Sequence, residues 1–307
     1  QAEDGIRDSV ASRGLGDVYK RQVLDAIDRH YVPPFEVRTI WIHNAEHEGV
    51  HWPARMRLNC FARHIRDWEQ HIHHPLLDGG WHWAEHGSHT FPRLVPSATY
   101  FKKNPDYFSL VDGKRIKRDG QLCMTHPDVA AIASQWAKGV LQRDPRARLV
   151  AISPADLGNF CQCDRCTVTR NRYPALVNQN TCGNAPMLLE LVNGVARGIR
   201  DTHPEALVTT LSYQHTRIPD RAMQAEDNTV IRYCPIEMCT LHAIDYADCA
   251  WNQRNYEGTR FAEELATWTT VAPRVWVWYY AFDRGGTLAI SPWRNVMQSN
   301  FCLLYTS

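Results

Sequence analysis

Apolar and polar positions alternate along the chain between strand-like and helix-like spacing. FEVRTIWIH (35–43) is apolar and β-branched and predicts a strand. Across 52–72 the apolar residues Met56, Cys60, Ile65, Trp68 and Ile72 recur at helical spacing and predict a helix. GGWHWAEH (79–86) predicts a second strand running into a polar loop, and the Pro-, Asp- and Gly-rich stretch 92–122 predicts an excursion with a hairpin at VDGKR. Pro127 opens a helix over 127–142, since proline suits a first helical turn. ARLVAIS (147–153) predicts a strand and 186–202 a helix, carried by Met187, Leu188, Leu191, Val192, Val195 and Ile199. ALVTTLSY (206–213) and TVIRYCPIE (229–237) predict strands, 258–272 a helix and RVWVWYYAF (274–282) a strand; NVMQSNF begins one more. No heptads and no 20–50-residue repeats occur.

Alternating β and α units imply a parallel sheet. There is no GxGxxG and no P-loop lysine motif, which argues against a nucleotide fold. The expected fold class is α/β, a (β/α)8 TIM-type barrel, for which about 250 residues is usual. A doubly wound sheet is the second choice.

The two ends change the expected boundaries. DVYKRQ (17–22) can be encoded by a DNA string whose reverse complement, read one base out of frame, gives CLLYTS (302–307). That string resembles a transposase-type sequencing adapter. Residues 1–22 and 302–307 are therefore set aside as non-native, and 23–301 is expected to be a single barrel domain, incomplete at both ends and lacking the last strand.

Composition excludes several classes. A chain that is 44% hydrophobic and 22% charged is globular rather than disordered. No run of about 18 apolar residues is present, so no membrane span is expected. Lys+Arg (34) balance Asp+Glu (33) without a basic stripe, so no nucleic-acid partner is expected.

In a barrel the chemistry sits at the C-terminal ends of strands. Three predicted strands lead into an acid there: Asp156 after ARLVAISPA, Glu237 closing TVIRYCPIE, and Asp283 after RVWVWYYAF. Two carboxylates in different environments are the minimum for cleaving a glycosidic bond, one as acid and one as base or nucleophile. The plainer reading makes each a helix cap or a partner of a nearby arginine such as Arg284. Aromatic rings at strand ends favour a carbohydrate ligand. Trp83, Trp278 and Tyr280 are candidate stacking residues, and Arg38, His86, His89, Tyr213, Gln214 and His215 candidate hydroxyl partners. Trp276 and Trp278 share one strand face, where core filling is the simpler account.

Ten of the fifteen histidines lie between His43 and His89. The sets His71, His73, His74 and His82, His86, His89 raise a metal-dependent hydrolase as an alternative. Cys161, Cys163 and Cys166 form CxCxxC, three quarters of a tetrahedral structural zinc site. Cys182, Cys123, Cys239 or His126 could be the fourth ligand. A local disulfide and buried free thiols are the other readings. No cofactor is required by the expected chemistry.

The motifs FEVRTIWIH, WPARMRLN, SHTFPRLVP, YFKKNPDYFSLVDGKR, QLCMTHPDV, ISPADLGNFCQCDRC, TLSYQHTR, CPIEMC and APRVWVWYY, in this order, resemble the bacterial family catalogued as domain of unknown function 4838. That family is similar to α-glucuronidases and to family-20-type β-hexosaminidases. The resemblance implies a barrel, a polysaccharide or oligosaccharide substrate and a secreted or periplasmic location. It places Asp156 where related barrels carry the general acid, and Glu237 and Asp283 where α-glucuronidases carry a second pair of carboxylates. No Asp-Glu pair follows the strand before Asp156, which departs from family-20-type enzymes. A non-catalytic carbohydrate-binding barrel is the alternative function.

Overall fold

The computed structural model describes residues 35–43, 58–65, 68–72, 81–85, 87–117, 121–173, 176, 183–253, 258–280 and 293–306. The chain divides into two compact units, 1–36 and 37–307, and the described architecture is that of the second. In chain order its elements are β1 (Thr39–His43), β2 (Cys60–Ile65), β3 (Trp68–Ile72), β4 (Trp83–Ala84), α1 (Phe91–Leu94), α2 (Ser97–Tyr100), β5 (Leu110–Val111), β6 (Lys114–Arg115), α3 (Pro127–Arg143), β7 (Leu149–Ala151), α4 (Asp164–Asn171), α5 (Ala185–Arg200), β8 (Leu207–Tyr213), β9 (Thr229–Cys234), α6 (Ala250–Gln253), α7 (Phe261–Val271), β10 (Val275–Val277) and α8 (Trp293–Thr306).

β1, β2 and β3 form a three-stranded sheet, β1 parallel to β2 and β2 antiparallel to β3. The helix expected over 52–72 is thus replaced, from Cys60 onward, by a hairpin. The register explains the false period. Ile65 pairs with Trp68 and Phe61 with Ile72 across two antiparallel strands, so apolar spacing that imitates a helix face belongs to paired strands. The hairpin expected at VDGKR is present as β5 and β6, with Asp112 and Gly113 both at positive φ (49° and 75°) in its turn.

The main sheet has five parallel strands in the order β4-β7-β8-β9-β10. Each strand pairs with the next main-sheet strand in the chain, with no reversal of direction around a central strand. A doubly wound sheet would show such a reversal. Helices cover one face. Val129, Ala133, Ala137 and Val140 of α3 and Leu188, Leu191, Val192, Val195 and Ile199 of α5 pack on Val150, Ile152 and Val208. Phe261, Leu265, Trp268 and Val271 of α7 pack with Ile231 and Tyr233 of β9 in a second cluster. The opposite face is aromatic. Trp83 on one edge strand meets Trp276 on the other at 6.4 Å between ring centroids, and Trp81 meets Trp276 at 5.1 Å. Four strand spacings of about 4.8 Å would hold flat-sheet edges roughly 19 Å apart with their side chains parallel. The contact therefore requires a strongly curled sheet with these indoles on its concave side.

Local chemistry sets the element ends. His126 caps α3 by accepting from the Asp128 N–H at 3.2 Å. β9 stops at Cys234 because Pro235 has no N–H for the ladder. The strand expected at NVMQSNF is instead part of α8. Its inward positions Val296, Asn300, Leu303 and Leu304 follow a helical period that extends past residue 301, so a reading cut at 301 sees too little of it.

α3 and α5 approach closely at Gly198. A Cβ there would lie 2.6 Å from Ser134 Oγ and 2.9 Å from Ser134 Cβ. Gly198→Ala is therefore expected to destabilise the fold by about 1–2 kcal/mol, overpacking outweighing the better helix propensity. Ser134→Gly in the same chain should restore part of the loss. Chemical denaturation of the single and double variants measures both, and a more stable Gly198→Ala would refute the close approach.

Candidate functional site

The C-terminal ends of β7 and β8 border a shallow, open cleft. Its walls include His89, Asp156, Phe160, Tyr213, Gln214 and His215. Four of the predicted site residues that follow strands thus converge here with His89. Asp156 is exposed to solvent on the loop that leaves β7. That loop is held from both sides. Buried Gln121 donates to the carbonyls of Ala155 (2.8 Å) and Leu157 (2.6 Å) and accepts from the Ala155 N–H (3.0 Å), so one side chain brackets Asp156. On the other side His89 Nδ1 lies 2.9 Å from the Pro154 carbonyl, and the Thr90 hydroxyl accepts from Ser153 N–H and donates to the Ala151 carbonyl. His89, Asn159 and Gln214 all have positive φ (50°, 61° and 43°). Such backbone strain persists only where surrounding structure imposes it, and it concentrates at functional sites.

Glu237 is not among the walls of that cleft. It follows β9 and faces Arg217, with Oε2 2.9 Å from Nη1. Arg217 is fully buried and also makes a two-point contact with Glu264 of α7, at 2.7 Å from Nε and 3.3 Å from Nη2. Burial by itself would lower the Arg217 pKa, but the carboxylates of Glu264 and Glu237 more than offset it and hold the guanidinium above the ordinary arginine value. The Tyr233 hydroxyl is shared between Glu264 (3.0 Å) and the Phe261 carbonyl (3.1 Å). Thr259 donates to the other Glu264 oxygen at 2.5 Å. The Arg217 carbonyl accepts from Trp268 Nε1 (2.8 Å) and Ser212 Oγ (3.0 Å). The segments after β8 and β9 are thereby tied to one face of α7.

On the concave face Arg232 of β9 lies over the Trp83 ring at 4.6 Å and near Trp278 at 5.8 Å. Trp83 is a buried core residue, as is the guanidinium above it. Trp278 and Tyr280 stack at 6.1 Å. Burial, reinforced by Cys234, Tyr213 and Glu237, raises the Tyr280 phenol well above its usual value. The Arg38 backbone exchanges hydrogen bonds with Asn59 (2.8 and 3.0 Å) just before β1. Asp283, His86, His73, His74 and Cys182 lie outside the described residues, as does the side chain of His71. The two described histidines of the 82/86/89 set face different partners, His82 pairing with Asp144 at 2.6 Å and His89 with the Pro154 carbonyl.

Cys161, Cys163 and Cys166 do converge, and the fourth group beside them is Cys123. All four are buried, with sulfur atoms within 4.8 Å of one another; Cys123 is 3.6 Å from Cys163 and 3.8 Å from Cys166. A tetrahedral zinc with bonds of about 2.3 Å spaces its sulfurs by roughly 3.8 Å, so this set could hold a metal ion. Hydrogen bonds from Cys161 and Cys166 hold the Cys123 thiol well below the usual range. That thiolate in turn pushes Cys161 up to about 11 and Cys166 higher still. Of the other three fourth-ligand candidates, the two among the described residues are engaged elsewhere, His126 with Asp106 at 2.9 Å and Cys239 beside His242.

Four residues of this constellation, Arg217, Arg232, Glu264 and Gln121, escaped the sequence reading. Arg232 had a signal, as the lone cation inside an apolar strand; so did Glu264, on the buried face of its helix. Gln121 had none, because a polar residue in a loop-rich stretch is unremarkable until its partners are seen.

The fold and its cleft define a parallel α/β protein with its candidate chemistry at the carboxyl ends of the strands. The family model described as domain of unknown function (DUF4838) matches residues 19–306, and the chain belongs to that family. The match includes residues 19–22 and 302–306, which the sequence reading set aside. No curated protein and no solved structure matches. No helix among the described residues is long and apolar enough to cross a membrane.

Removing one partner from a buried ion pair leaves an uncompensated charge, at a cost of about 3–5 kcal/mol. Glu264→Ala should lose stability on that scale in urea unfolding, while an exposed control, Glu263→Ala, should lose little. A loss below about 1 kcal/mol would show that Arg217 does not depend on Glu264.

Proposed function

We propose that this chain forms the wall of a (β/α)-barrel glycoside hydrolase acting on oligosaccharides or polysaccharides. Three features support the barrel: the sequential parallel strand order, the single layer of helices, and the curl that brings Trp83 to Trp276. The observation that carries the activity is Asp156, exposed in a cleft at the strand ends on a clamped loop, with Tyr213, Gln214, His215 and His89 around it. In this reading Asp156 protonates the leaving glycosidic oxygen. Glu237, set against a guanidinium, or Asp283 takes the anionic role of base or nucleophile. The neighbouring hydroxyl, amide and imidazole groups bind sugar hydroxyls, and Phe160 offers a flat apolar face. The four cysteines hold a structural zinc that fastens the 121–123 segment to the loop carrying Asp156.

One observation favours a second reading. Glu237 faces Arg217 instead of the Asp156 cleft, as a carbohydrate-binding barrel without turnover would allow. Screening the chain on aryl-glycosides separates the two. Asp156→Asn should lower kcat by about 10²–10⁴-fold if Asp156 is the general acid. Equal turnover by both chains would remove Asp156 from that role, and glycan binding without turnover would favour the binding barrel.

The zinc reading has its own readout. Thiolates bind the metal only after losing protons, so affinity should fall as pH falls. Acidification or a strong chelator should release the ion bound at Cys123, Cys161, Cys163 and Cys166 and lower the Tm. An unchanged Tm after complete stripping of metal would refute the structural role.

A further inference from the structure

A second set of soft donors lies on the segment between β9 and α7. Cys239, His242 and Cys249 bring one ligand atom each to within 4.8 Å of the others. Cys239 Sγ is 3.5 Å from His242 Nδ1. A tetrahedral zinc with Zn–S of about 2.3 Å and Zn–N of about 2.0–2.1 Å separates sulfur from nitrogen by roughly 3.5 Å.

The surroundings suit metal-bound thiolates. The Leu241 N–H points to the Cys239 sulfur at 3.4 Å and the Asn252 N–H to the Cys249 sulfur at 3.4 Å, donors of the kind that support charged ligands. The His242 ring stacks on Tyr246 at 5.3 Å and 12°, which fixes its plane. Buried Asn252 then locks the segment: it accepts from the Cys239 N–H at 2.9 Å and donates to the Ala243 carbonyl at 2.9 Å. Cys249 is buried, Cys239 half-buried and His242 exposed, so the donor set opens to solvent on the imidazole side.

We propose that Cys239, His242 and Cys249 form a second metal site, selective for a thiophilic divalent ion of the zinc class. Two thiolates and an imidazole suit zinc and disfavour magnesium and calcium, which prefer oxygen. Three protein ligands leave the fourth position to water or an added anion. The site starts two residues after Glu237, and Trp251, next to Asn252, donates to the Glu237 carbonyl at 2.5 Å. The ion would therefore stiffen the segment that presents Glu237 to Arg217. This holds whether or not the chain hydrolyses glycosides.

The test is metal counting and cobalt(II) substitution on the full chain, purified under reducing conditions. The wild type should carry two zinc equivalents. His242→Ala and Cys239→Ser should each carry one, with the cobalt–thiolate charge-transfer band of the four-cysteine site intact. Cys163→Ser should remove the other equivalent and leave the weaker two-thiolate band. His242 is exposed, so its variant tests the proposal even if a cysteine variant misfolds. Equal metal content in wild type and His242→Ala would overturn the proposal. So would a Cys239–Cys249 disulfide, seen as a loss of two hydrogens in the mass of the denatured, metal-free chain prepared without reductant. Loss of metal on Cys163→Ser alone would leave the four-cysteine site standing without this one.

Discussion

A fully buried guanidinium constrains this structure more than any other single group. Arg217 cannot lose its proton and cannot reach water, so the fold must supply negative charge and hydrogen-bond acceptors around it. Glu264 answers with two points of contact and Glu237 with one, while the Arg217 carbonyl is held by Trp268 and Ser212. The segment leaving β8, the segment leaving β9 and helix α7 must satisfy these contacts together. None can shift without exposing a charge in the interior, which makes the rim above β8 and β9 rigid despite its irregular backbone.

On the β7 side the same task falls to neutral groups. Gln121 brackets Asp156 through three hydrogen bonds, and the four cysteines join its neighbour Cys123 to the CxCxxC segment downstream. The excursion between β4 and α3 is thus a brace for the catalytic candidate. A charged hub holds one half of the rim and a sulfur cluster the other.

The sequence made the main sheet legible because strands buried on both faces read as continuous apolar runs, and α3 and α5 carry a clear helical period. It misled where residues paired across antiparallel strands imitated that period, at Ile65 and Trp68, and where a helix crossed an assumed boundary, at Val296 to Leu304. Tyr213, Gln214, His215 and Asp156 were found from their places after strands, since a parallel sheet delivers such residues to one rim. The braces were not, because Gln121 lies 34 residues from Ala155 and Glu264 lies 47 residues from Arg217, and one-dimensional spacing carries no trace of such pairs. The cysteine spacing predicted three donors, and only the folded chain showed Cys123 beside them.

The meeting of Trp81, Trp83 and Trp276 across the curled sheet has an optical consequence. Indoles held edge to face at 5.1 and 6.4 Å couple their electronic transitions, and such coupling gives circular dichroism in the near ultraviolet. The coupling exists only while strands from opposite edges of the sheet are brought together. The curl of the sheet therefore has its own spectroscopic signature, separate from the far-ultraviolet signal of the helices, and each can be followed without labelling the protein.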